Sequence, residues 1–224
     1  MWAWLAVISA TLTAILALSK VAEPVMPSQT RPADVAIMPA LLYLTGYFLF
    51  GAGYIAYMTF MIAYVRDAGG GAVAQSAFWC LIGASAFVTP WAWRGVLALD
   101  RGGVSTAIIL FINATGAALP LFGQSAPWLV ASALVFGVSF FAVVSSTTAF
   151  VRFNYPPAAW PKGIAAMTIA FGVGQTLGPI ATGAITDALG SLSYALNAGA
   201  AMLALGGILA LFQGRLVGRR ANSE

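Results

Sequence analysis

The sequence predicts an all-α, polytopic membrane protein with seven transmembrane helices. Three observations carry that prediction. Apolar residues make up 61% of the 224 positions and charged residues 7%, with a mean hydropathy of +0.91, whereas roughly a quarter of a soluble domain is charged. Ten Lys/Arg and six Asp/Glu cannot cover the surface of a soluble chain this size, so the surplus apolar surface faces lipid. The apolar residues also fall in charge-free runs able to cross a hydrocarbon core of roughly 30 Å. Finally, the cations divide very unequally between alternate loops, as the positive-inside rule requires of a correct span count.

The runs, in order, are residues 2–18, 39–64, 72–93, 104–122, 128–151, 164–186 and 194–213. The first lacks a cationic leader and is followed by Lys20, which marks a retained span rather than a signal peptide. Residues 19–38 hold Lys20, Glu23, Arg31, Asp34 and three prolines, the composition of a flexible linker. The uncharged stretch 102–151 is too long for one span, and Pro120, Gly123, Gln124, Ser125 and Pro127 supply the turn that divides it. Lys20, Arg31, Arg94, Arg101, Arg152, Lys162, Arg215, Arg219 and Arg220 then share one side against Arg66 on the other. That split places the N-terminus outside and the C-terminus in the cytoplasm. The domain reading is a lone helix (1–18), a cytoplasmic linker (19–38), a six-helix block (39–214) and a cytoplasmic tail (215–224).

The composition also excludes functions. There is no histidine and one cysteine, which removes most metal sites, disulfide frameworks and histidine-based catalysis. No acid, base or nucleophile pair lies within a span, so no enzyme, cofactor or metal is expected. Ten dispersed cations form no basic patch, so nucleic acid is not an expected partner. The lipid bilayer is.

Candidate residues come from helical stripes. Tyr43, Tyr47, Phe50, Tyr54, Tyr57, Met61 and Tyr64 recur at spacings of four and three and share one face of the second span. A tyrosine hydroxyl in hydrocarbon needs a partner, so this face lines a wet cavity or packs with its hydroxyls bonded; both readings stand. Gly46, Gly53 and Ala56 form an adjacent small-residue stripe suited to close helix approach. Ser132, Ser139 and Ser146 recur every seven residues on the fifth span, as cavity lining or as packing residues bonded back to their own helix. In the sixth span Pro179 removes the donor that Gln175 O would accept, predicting a helix break beside a mid-membrane amide, while Ala166, Ala170, Gly174, Gly178 and Thr182 form a small stripe on another face. Asn113, Ser139 and Gln175 fall near the midpoints of their spans, where a polar group is a functional candidate. The cavity candidates are thus Tyr47, Tyr54, Tyr57, Asn113, Ser132, Ser139 and Gln175.

Several of these residues also carry a resemblance. The run from Gly46 to Tyr54, the loop from Trp93-Arg94-Gly95 to Asp100-Arg101-Gly102-Gly103, and the run Met167-Thr168 to Gly178-Pro179, with Gly183 and Asp187, make residues 39–213 resemble the C-terminal half of a major facilitator superfamily transporter, closely the YbfB/YjiJ-type branch. The resemblance implies secondary transport of a small-molecule substrate across a bacterial inner membrane, with the second and fifth spans lining the substrate cavity. The first span would correspond to the sixth of the family's twelve helices. The family's cytoplasmic gating loop maps onto Arg94, Asp100 and Arg101 in degenerate form, one residue too long and without its trailing cations. The family's first five helices have no counterpart, which implies a truncated chain or a half-transporter needing a missing N-terminal half or a second chain. A noncatalytic remnant or accessory subunit is the alternative.

Overall fold

A computed structural model describes residues 2–19 and 36–216. Among these the chain is all-helical, with no strand. Contacts group it into two units, Met1–Pro32 and Ala33–Glu224. Much of the expected linker, with Lys20 and Arg31, lies outside the described residues, as do Arg219 and Arg220.

The first unit carries helix α1 (Trp2–Leu18), apolar and 17 residues long. Its Thr11 and Thr13 hydroxyls donate to Val7 O and Ser9 O, each at 2.8 Å, so neither is left bare in an apolar setting. At 1.5 Å per residue it reaches about 26 Å, shorter than each of the six apolar helical spans of the second unit, the shortest of which, Val104–Phe122, has 19 residues. Those six are long and apolar enough to cross a membrane; the expected seven spans are six such helices and this shorter one.

The second unit runs α2 (Leu41–Asp67), α3 (Ala72–Ala92), the single turn α4 (Arg94–Leu97), α5 (Val104–Ala118), α6 (Ala126–Asn154), α7 (Trp160–Leu189) and α8 (Leu192–Phe212). Proline sits in the first turn of α6 and of α7, where its missing N–H costs nothing. The chain leaves α6 at Tyr155, ahead of Pro156, in extended backbone. Gly190, at φ +71°, ends α7 in the left-handed conformation that glycine adopts without penalty. Pro179 lies inside α7, which continues through it, so the expected break is absent. One proline withdraws one donor; the flanking ladder persists, and Thr182 Oγ1 donates to Gly178 O at 2.7 Å just beyond it.

α2 occupies the centre, packed chiefly on α8 and α7, while α5 packs on α8 and α6, and α3 on α6. Glycine permits the closest crossings. A Cβ on Gly53 would stand 2.7 Å from Gly199 O of α8, and one on Gly178 would stand 2.7 Å from Ala52 Cα of α2, both inside van der Waals contact. These are the two small-residue stripes of the sequence, each against a backbone. Burial is uneven: more than half of the core stretch of α2 and α5 is buried, against 17% in α3 and α7.

At the cation-rich end the chain folds back under the helices after α8. Gln213 Oε1 accepts from Tyr43 N at 3.1 Å, its Nε2 donates to Pro39 O at 3.0 Å, and its carbonyl accepts from Gly103 N at 2.9 Å. Leu216 N donates to Asn154 Oδ1 at 2.7 Å, and Arg215 pairs with Asp100. This latch ties α2, α5 and α6 together and brings the loops of Arg94, Arg101, Arg152, Lys162 and Arg215 to one end.

Candidate functional site

The tyrosine stripe is buried along its whole length, but its members meet different neighbours. Toward α5 and α6 the hydroxyls find partners. Tyr43 OH lies between Thr106 and Thr147. Tyr57 OH pairs with Ser132 Oγ at 2.6 Å while Ser132 donates to Gly116 O at 2.7 Å. Tyr64 OH donates to Pro120 O at 2.8 Å. The serines of α6 do the same work: Ser139 donates to Val135 O at 2.8 Å and accepts from Asn113 Nδ2 at 2.9 Å, and Ser146 donates to Val143 O at 2.7 Å and accepts from Thr106 at 2.9 Å.

Tyr57, Asn113, Ser132 and Ser139 are each 0% exposed, so they sit in a sealed hydrogen-bonded seam between helices, not on an open wall. The reason is geometric: Tyr43 meets hydroxyls of both α5 and α6, Tyr57 meets the Ser132 hydroxyl of α6, and Tyr64 meets the Pro120 carbonyl after α5, so each of these three hydroxyls finds a partner at its own depth. Asn113 Oδ1 alone is buried there with no partner.

Toward α7 the same stripe behaves differently. Tyr54 stacks on Phe171 of α7, ring centroids 5.4 Å apart, and lies 4.9 Å from Phe140 of α6; Tyr47 stacks on Phe171 at 5.4 Å. The Tyr54 hydroxyl has no hydrogen-bond partner among the described residues. One helical turn from this aromatic group, a cavity of about 80 Å³ is lined by Tyr47, Val144, Thr147, Thr148, Ile164, Met167 and Thr168. Gln175, one turn beyond Phe171, is exposed, and its amide makes no hydrogen bond among the described residues. Tyr47 and Tyr54, themselves buried, stack on Phe171 of α7, Tyr54 also meets Phe140 of α6, and Gln175 lies one turn along α7 from Phe171; with the small cavity beside them these residues outline a candidate cleft between α2, α6 and α7 in which Phe140 and Phe171 are only half-buried.

Phe140, Phe171, Thr147, Thr148 and Thr168 complete the cleft and were not singled out as cavity residues in the sequence. Phe171 falls one turn before Gln175 and Thr168 one turn before that, a spacing that could have marked them. The cleft has ring faces, hydroxyls and an amide but no charged side chain. Ring faces of this kind offer stacking, and the hydroxyls and amide offer directional hydrogen bonds.

The loop residues separate. Arg94 and Arg101 are exposed. Asp100 bonds to Arg215 of the chain's own C-terminal segment, with its Oδ1 buried and without a partner. At the opposite end a polar recess of about 260 Å³ is lined by Tyr64, Asp67, Gln124, Thr186 and Ser191 among others, near the paired Arg66 and Asp67.

The profile of the family described as "Uncharacterised MFS-type transporter YbfB" matches residues 1–211. No curated protein and no solved structure matches the chain.

Proposed function

Because the chain belongs to the family of uncharacterised MFS-type transporters of the YbfB kind, we propose that its six-helix block supplies one wall of a transport pathway and that the α2–α6–α7 cleft is where the solute is held. The observation that supports this reading is a contrast along α2: the Tyr43, Tyr57 and Tyr64 hydroxyls are hydrogen-bonded, whereas the Tyr54 hydroxyl between Phe140 and Phe171 has no partner among the described residues, and neither does the exposed Gln175 amide one turn beyond Phe171 on α7. An intramembrane polar group without a partner is costly unless it has a ligand or water to meet. Secondary transport of a small, weakly polar organic solute fits these walls. A titratable group for ion coupling is not among the residues of the cleft and would come from the facing surface.

That facing surface is part of the proposal. α3 and α7 bury only 17% of their core stretches, and in transporters of this architecture the site lies between two bundles that rock against each other. We assign the exposed α7 face to a second six-helix bundle, an N-terminal half or a second half-transporter chain. The cation-rich end, with Arg94, Arg101, Arg152, Lys162 and Arg215, is assigned to the cytoplasm of a bacterial inner membrane, and the end with Arg66 to the outside. Labelling of single cysteines at Gln124 and Gly214 with a membrane-impermeant maleimide in intact cells tests this, with Gln124→Cys reactive and Gly214→Cys protected.

The direct test of the site is solute accumulation by the membrane-embedded protein, screened over small aromatic and polyhydroxylated compounds. Gln175→Ala and Tyr54→Phe are expected to lower accumulation of whatever the unmodified chain moves, at unchanged membrane insertion. Undiminished transport by both removes the assignment. A second reading, a noncatalytic accessory or remnant, is favoured by the one-sided cleft; it predicts crosslinks to a partner in native membranes but no solute movement with that partner present.

A further inference from the structure

On the cation-rich end, at the corner of α4, α6 and α7, lies a groove of about 380 Å³ lined by Leu97, Ala149, Arg152, Phe153 and Trp160. It belongs neither to the α2–α6–α7 cleft nor to the latch. Its make-up is one guanidinium on otherwise apolar and aromatic walls. Arg152 is exposed in the last turn of α6, its Cζ lying 5.3 Å from the centroid of the Trp160 ring. That ring is held in place from its other side, because Trp160 Nε1 donates to Tyr155 O at 2.9 Å. Arg152 has no carboxylate partner among the described residues. The acid of the α4–α5 loop at this end, Asp100, is paired with Arg215, and Phe153 leaves 40% of its surface exposed.

Depth says what meets such a groove. α6 leaves the hydrocarbon at Arg152, and an arginine beside an indole at a span end sits at headgroup level with its stem along apolar surface. We propose that this groove binds an anionic phospholipid of the adjoining leaflet, its phosphate on the outer face of the Arg152 guanidinium and its glycerol and first acyl carbons against Leu97, Ala149 and Phe153. Charge complementarity selects an anionic lipid, since Arg152, Arg94, Arg101 and Lys162 in the framing loops give this end a positive field. The apolar walls select a lipid over a soluble anion. One exposed cation holds a free phosphate poorly in water, whereas a lipid is confined to the leaflet at high local concentration and adds apolar contact. A lipid seated here touches the α3–α5 loop through Leu97, the end of α6, and the start of α7 through Trp160, and so bridges the two loops that flank the cation-rich end.

The test uses the full chain in nanodiscs of phosphatidylcholine with a minor fraction of brominated lipid. The signal is the emission lost in Trp160→Phe, which isolates Trp160 from the other tryptophans. Brominated phosphatidylglycerol is expected to quench that signal with about fivefold higher apparent affinity than brominated phosphatidylcholine, the order of one basic side chain at an anionic surface. Arg152→Gln is expected to abolish the difference, and Arg152→Lys to restore much of it. Equal quenching by the two lipids, or a preference that survives Arg152→Gln, overturns the proposal. Relief of quenching by excess inorganic phosphate also overturns it, by showing a site for the free anion. The nanodisc carries both lipids in both leaflets, so the result does not depend on which side of the membrane this end faces or on solute transport.

Discussion

Tyr54 and Tyr57 are one helical turn apart on the same buried stripe of α2, yet the hydroxyl of Tyr57 is bonded into a seam and that of Tyr54 has no partner among the described residues. Tyr57 meets α6 where the Ser132 hydroxyl bonds to it, a hydroxyl itself anchored by donating to the Gly116 carbonyl of α5. Tyr54 meets Phe140 and Phe171, which offer rings but no acceptor. The difference shows that a polar residue's role inside a membrane protein is set by what the neighbouring helix presents at its depth, not by its own periodicity. The Tyr57 hydroxyl, matched by a hydroxyl, is part of the packing; the Tyr54 hydroxyl has no partner among the described residues.

The largest expected effect comes from disrupting the α2–α7 crossing that forms one side of the proposed cleft. Gly178→Leu places a side chain where a Cβ alone would stand 2.7 Å from Ala52 Cα. Backbone cannot yield as a flexible side chain can, and overpacking of this kind costs about 1–3 kcal/mol or more. Thermal unfolding in detergent should show a large fall in midpoint with little monodisperse protein recovered. Normal stability would mean that α7 does not approach α2 as described, and the cleft would lose a wall.

The comparison itself is sharpened by paired substitutions of the two tyrosines. Tyr57→Phe removes a buried hydrogen bond that costs about 0.6 kcal/mol within a membrane bundle, while Ser132 keeps its bond to Gly116 O. A modest drop in unfolding midpoint with transport retained is expected. Tyr54→Phe removes no hydrogen bond of the folded chain, so its midpoint should stay unchanged while solute movement falls. The reverse pattern, with Tyr54→Phe destabilising and Tyr57→Phe blocking transport, would exchange the two assignments.

Much of this was legible in sequence, and the limits are physical. Spacing alone put the seven aromatic and Met positions of α2 on one face, and the small stripes of α2 and α7 against partner backbones, because both are properties of a single helix. The division of the tyrosines was not legible, since it depends on the depth at which Ser132 and Phe171 stand, which no single-helix pattern encodes. Asn113 and Ser139 stand out in the sequence as mid-membrane polar groups; in the fold Asn113 Nδ2 donates to Ser139, while Asn113 Oδ1 stays buried without a partner. Pro179 suggested a break because the rule concerns one hydrogen bond, whereas a helix of 30 residues tolerates its loss. Gln213 closes an apolar run in the sequence, a pattern that does not encode its amide bonds to Tyr43 N and Pro39 O or its carbonyl bond to Gly103 N, and Arg215 reads there only as a charge.

The smallest expected effect tests the Gln213 latch. The Arg215–Asp100 pair is partly exposed, with 52% and 37% of the side chains accessible, so solvent screening leaves it worth less than about 1 kcal/mol. The amide of Gln213 is buried and bonds to Tyr43 N and Pro39 O, and the adjoining backbone ties to Gly103 and Asn154. Those bonds do not pass through Arg215. Arg215→Gln should therefore leave hydrogen exchange at Gly103 and Leu216 nearly unchanged, and Gln213→Ala should speed exchange at Leu216 and at Tyr43, whose N–H loses its acceptor. If Arg215→Gln alone releases the segment, the ion pair rather than the amide holds the cation-rich end closed, and Asp100 regains the gating role that its loop suggested.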